Sequence, residues 1–135
     1  MAEIHPNYQA LLDYATGSLS SQGKFPDEPC KYISSNGARC IIGLLLPERL
    51  IDQLDNRSIG YGELNTNTDS LEYISNTFGL PNTPVFCNII TQMQIEFDRE
   101  YKNFLKIELE TFIQEYKDKI YKYILRVTKY EFNNS

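Results

Sequence analysis

The chain has no tryptophan, one histidine, three cysteines and no excess of positive charge. Each shortage closes off a class of function. With formal charge −5 over 135 residues, the protein lacks the basic field that general binding to a phosphate backbone requires. A structural zinc site shows close ligand pairs, and none is present: Cys30 and Cys40 stand ten apart, Cys87 is remote, and the lone histidine, His5, lies near the N-terminus beside Pro6. A thiolate nucleophile needs a base within hydrogen-bond reach, and nothing in the sequence ties His5 to any cysteine. Neither a metal nor a cofactor is therefore expected, and no catalytic residue is assigned. No run approaches the ~18 apolar residues of a membrane span; the longest, Ile41–Leu46, is interrupted by Gly43 and stops at Pro47. The first residues, MAEIHPNYQALL, lack a basic segment followed by an apolar one, so no signal peptide is expected. Three cysteines without such a signal suit reduced thiols in a cytoplasm.

Tyrosine and phenylalanine are plentiful, at 10 and 7. Tyrosine buries its ring and leaves its hydroxyl wet, which suits a thin domain with much interface. A hydrophobic content of 41% and a charged content of 23% are those of an ordinary globular chain, long enough for one core. Charge is uneven: residues 1–97 carry 5 basic and 11 acidic side chains, residues 98–135 carry 8 basic and 7 acidic.

Leu11, Leu12, Ala15 and Leu19 recur at helical spacing and predict a helix over about 8–20 that stops at Gly23. Two prolines, Pro26 and Pro29, make the following stretch a connector. Asn36-Gly37 between two strand-compatible segments predicts a β-hairpin over Cys30–Pro47 with a two-residue type I′ turn. In that register Ser35 faces Ala38, Ile33 faces Cys40 and Cys30 lies opposite Gly43, so the two thiols point to opposite sides; a three-residue loop shifts this. A short helix follows Pro47 over 48–54, and residues 55–70 read as a polar surface loop. Asp69 or Ser70 caps a helix holding Leu71, Ile74 and Phe78, and Thr83 caps another with Pro84 at its first position. Apolar residues then keep helical spacing to about residue 128. One helix that long spans ~65 Å, so either a break near 98–103 lets the halves fold back, or the helix projects and pairs with a second copy. The expected fold is α+β, a mainly helical single domain with one two-stranded antiparallel hairpin. A body over 1–100 carries a helical extension over 101–135.

Three stretches carry potential chemistry. The turn Ser34-Ser35-Asn36-Gly37-Ala38-Arg39 offers amides, hydroxyls and a guanidinium, the makings of a small anion site. Glu96 and Glu100 share a helix face, whereas Glu96, Asp98 and Glu108, Glu110 are i, i+2 pairs that do not. The alternating lysines and tyrosines of 116–130 read as an amphipathic basic segment whose apolar stripe serves a core or a dimer.

The spacing C-x-Y-x4-G-x2-C-x2-G-x3-P, filled by Cys30, Tyr32, Gly37, Cys40, Gly43 and Pro47, resembles a signature of small phage and prophage proteins. In those, a leading helix often ends in Gln-Gly-Lys, as Gln22-Gly23-Lys24 does here, and a later helix carries Gln and then His-Asp, matched by Gln94 and Phe97-Asp98 with Phe in place of His. The resemblance covers residues 9–98; Ile33 stands where an arginine is frequent. Together with the lack of a catalytic constellation and the long aromatic helix, this resemblance leads to the expectation of an accessory protein that acts by binding, in counter-defence or host modulation, on a host protein or a small nucleotide-type signal. A homodimer through the C-terminal helix goes with this reading. Joining signature and turn, the candidate ligand contacts are Tyr32, Ser34, Asn36, Gly37, Arg39 and Gly43. A small hydrolase or transferase using Cys40 or the Glu96–Glu100 face, and a purely structural dimer, are the alternatives.

Overall fold

The computed structural model describes residues 4–27, 32–53, 68–99 and 108–133. Within them the chain forms five α-helices: α1 (Pro6–Gln22), α2 (Glu48–Gln53), α3 (Thr68–Phe78), α4 (Pro84–Arg99) and α5 (Leu109–Asn133), with a 3₁₀ turn at Gly43–Leu45. Local chemistry sets the ends. The His5 ring nitrogen Nδ1 accepts the Asn7 N–H at 3.0 Å, which makes the histidine the N-cap of α1 and ties it into the fold. Pro6 follows at the first helical position, where its missing N–H costs nothing. Thr83 Oγ1 accepts the Phe86 N–H at 3.2 Å and starts α4. Helix α3 begins at Thr68, so Asp69 and Ser70 lie inside it rather than capping it.

The long apolar stripe of 84–128 belongs to two helices that fold back on one another. Phe97 of α4 meets Phe112 of α5 with centroids 5.8 Å apart, and the Tyr116 hydroxyl donates to the Met93 carbonyl at 2.7 Å. Pairing 97 with 112 and 93 with 116 makes α4 and α5 antiparallel. Helix α5 also runs antiparallel to α1, through Ser20–Glu110 (2.5 Å) and Lys117–Asp13 (2.9 Å). The stripe on which a dimer was expected is thus buried within the chain: Phe112, Ile113, Tyr116, Ile120 and Ile124 are core residues alongside Leu11, Leu12, Leu19, Phe86, Ile89 and Phe97. An aromatic cluster of Phe25, Phe97, Phe112 and Tyr116 joins the connector after α1 to both later helices.

The expected hairpin is the main correction. Among the described residues there is no β-strand and no sheet, and the fold is mainly α rather than α+β. A single antiparallel bridge joins Ile33 to Arg39. The loop has three residues: Ser34 and Ala38 pair (N–H to O, 2.9 Å), the Gly37 N–H closes on the Ser34 carbonyl at 2.9 Å, and Gly37 takes φ 82°. Asn36-Gly37 therefore ends a wider turn instead of forming a two-residue one. The second arm fails because Ile41 and Ile42 bend into the core instead of extending. Leu44 N–H bonds to the Cys40 carbonyl and Leu45 N–H to Ile42, which is helical pairing. Side chains satisfy the backbone groups that a partner strand would have taken. The Gln22 amide accepts the Arg39 N–H (2.8 Å) and donates to the Arg39 carbonyl (3.1 Å), and Gln94 Oε1 accepts the Ile42 N–H (3.4 Å). Cys30 and residues 55–67 of the loop expected over 55–70 lie outside the described residues, and residues 68–70 of that expected loop belong to α3.

Candidate functional site

The turn first considered as an anion site is occupied by the protein itself. The Asp27 carboxylate accepts the Ser35 hydroxyl at 2.9 Å and the Asn36 N–H at 3.2 Å, so an internal anion holds the position. The Ser35 hydrogen bond leads the effects that keep the Asp27 carboxyl below its ordinary value. Ser34 is buried, and its hydroxyl meets the Asn36 side chain, the Asp27 N–H and the Ala38 carbonyl. The Asn36 side chain is held by the Ala38 N–H and the Phe25 carbonyl, and Lys24 Nζ reaches the Asn36 carbonyl at 2.7 Å. Arg39 donates from one guanidinium nitrogen to the carbonyls of Gly43 (3.2 Å) and Leu46 (3.1 Å), tying off the end of the 3₁₀ turn. Tyr32 is fully buried. At Gly43 a Cβ would lie 2.3 Å from the Tyr32 carbonyl oxygen, so the glycine permits a close crossing of two backbone segments. All six candidate residues do come together, and each has a part in holding this loop.

Cys40 lies at the base of the loop. Its Sγ is 3.4 Å from the Gly43 N–H, and burial, with Asp98 nearby, pushes its pKa up to about 12. A thiol held that high is a poor nucleophile. Gln94 is fully buried and donates to both Asp98 oxygens at 3.1 Å while receiving Ile42. Gln94 and Asp98, singled out with the signature, thus anchor the loop to α4.

A second polar region has the features of a ligand site. Between α4 and α5 lies an open groove of about 300 Å³ lined by Gln92 and Glu96 from α4 and by Lys119, Lys122, Tyr123 and Arg126 from α5. The lining residues of α5 follow one another at spacings of three, one and three, so they share a helix face. The Arg126 guanidinium sits over the Tyr123 ring, 5.3 Å from its centroid. Lys122 also pairs with Asp118 at 2.9 Å, in an exposed bond that holds little energy. On the opposite wall, Glu96 Oε1 accepts both Gln92 Nε2 and Arg99, each at 2.9 Å. Among the described lining residues, three cations stand beside the Glu96 carboxylate, with Asp118 paired to Lys122. In the sequence this segment reads as amphipathic and basic, with its stripe serving a core or a dimer, and nothing there joins it to Gln92 and Glu96. Glu96 and Asp98, two apart on α4, face different surroundings: the groove and the buried Gln94.

Compared with family models, curated proteins and solved structures, the chain matches none. Among the described residues no helix is long and apolar enough to cross a membrane.

Proposed function

We propose that this protein works by binding, as an accessory protein of the phage and prophage kind it resembles, and that it sequesters a small nucleotide-type ligand in the cytoplasm of a bacterial host. The observation that supports this reading is the groove between α4 and α5, where Lys119, Lys122 and Arg126 gather beside the Tyr123 ring. Phosphate oxygens meet charge-assisted donors there, and a flat aromatic surface stands next to them. Catalysis by the Cys40 thiol has less to work with, because that thiol is buried and held protonated. Self-association through α5 has the exposed side of that helix to use, and sedimentation at two concentrations tests it.

Titration calorimetry with ATP and GTP tests the binding. Micromolar affinity that weakens steeply with salt is the expected result, because exposed charges are screened over ~8–10 Å. The triple variant Lys119→Glu, Lys122→Glu, Arg126→Glu should abolish it with the fold retained. No heat with either nucleotide, or undiminished binding by the triple variant, removes the proposal.

A further inference from the structure

Resting on that reading of the groove, we infer that its α4 wall selects the base of the ligand, and that guanine nucleotides are preferred. The two walls differ in chemistry. The α5 wall supplies cations and the Tyr123 ring; the α4 wall supplies Gln92 and Glu96, one helical turn apart. Arg126 covers one face of Tyr123; in the proposed mode the base stacks on the other face with its edge toward α4.

What that edge meets is set by the hydrogen bonds already made. Gln92 Nε2 donates one of its two hydrogens to Glu96 Oε1, which orients the amide, and its carbonyl oxygen stands as a further acceptor. Arg99 also binds Glu96 through Oε1, and neither donor engages Oε2. A carboxylate has about four acceptor positions, so Glu96 keeps capacity for further donors. Glu96 is therefore the charged acceptor of this wall. Guanine presents two adjacent donors on its pairing edge, the ring N–H and the amino group, and a carboxylate receives them side by side. Adenine and cytosine place a ring acceptor next to their amino group, which would face the Glu96 charge. Uracil flanks its single N–H with two carbonyls.

The test is calorimetry on the full chain with GTP, ATP and tripolyphosphate, each against wild type, Glu96→Gln and Tyr123→Ala. Wild type should bind GTP tighter than ATP by about 5- to 150-fold, the range of one well-made bidentate contact to a base. Glu96→Gln should bring the two affinities within about threefold while tripolyphosphate binds as well or better, since a negative charge has left the groove. Tyr123→Ala should weaken both nucleotides and spare tripolyphosphate. Equal affinity for ATP and GTP in wild type, or a guanine preference that persists in Glu96→Gln, overturns the inference and leaves anion binding in place. Absence of binding by all three probes overturns the functional proposal, and the inference with it.

Discussion

Replacing Gly43 and Gly17 by alanine should move stability in opposite directions. At Gly43 the added Cβ would stand 2.3 Å from the Tyr32 carbonyl oxygen, 3.1 Å from its carbon and 3.3 Å from the Arg39 Cβ. The obstructing atom is backbone, so no rotamer relieves the overlap. Either the 3₁₀ turn lifts away or the Tyr32 carbonyl moves, and that carbonyl accepts the Cys40 N–H at 3.2 Å. Overpacking of this kind costs ~1–3 kcal/mol, and losing a buried hydrogen bond adds about 1 kcal/mol. A total on the order of 2–4 kcal/mol follows. At roughly 3–5 °C per kcal/mol for a chain of this size, Tm should fall on the order of 10 °C. Gly17 is the control: it is exposed, lies within α1, and has nothing within 4 Å of an added Cβ. Alanine there should stabilise by about 0.5–1 kcal/mol. Urea and thermal unfolding followed by circular dichroism read both variants. A Gly43→Ala protein within 1 kcal/mol of wild type would refute the close crossing on which this reasoning stands.

Gln94→Leu keeps the volume but strips the partner from the Ile42 N–H and from Asp98; it should cost about 1–3 kcal/mol, whereas Gln92→Leu in the open groove should stay within about 0.5 kcal/mol. With its pKa near 12, about one Cys40 in ten thousand is thiolate at pH 8. Iodoacetamide followed by peptide mass analysis should therefore modify half-exposed Cys87 in the native protein and reach Cys40 only in urea; equal labelling would contradict the buried thiol. Asp27 titrates below its unfolded value near ~3.9, so its stabilising effect is present above that pH and is lost as pH falls through the depressed value. Ser35→Ala should raise the Asp27 pKa, which carboxyl NMR titration measures, and an unchanged value would remove the Ser35 hydrogen bond as a cause.

The helices were legible because their signals are local. Leu11, Leu12, Ala15 and Leu19 repeat at helical spacing, and Thr83-Pro84 marks a start whatever surrounds it. The fold-back of α4 on α5 was one of two outcomes the length rule allowed, and contacts such as Phe97–Phe112 decide it. The hairpin was misread because the Asn-Gly signal is conditional on what the flanking residues can pair with. Ile41 and Ile42 have strand character, yet a buried position beside Gln94 repays them more than extension does. In the sequence His5 is only a residue near the N-terminus beside Pro6, and its capping bond depends on the turn it creates. The candidate groove escaped because its halves come from helices separated by residues 100–108. Neither half alone differs from a solvated helix face.

The amide of Gln22 closes on both backbone groups of Arg39, and this has a bearing on behaviour in a crowded cell. A short extended segment with an unpaired N–H and C=O is a template on which another chain can add a strand. Here the template site is occupied from within the same molecule by a side chain that cannot propagate the pairing. The loop can therefore display strand-like sequence without recruiting its neighbours, and substitutions that shorten Gln22 should show their harm as association at high concentration before they show it as unfolding.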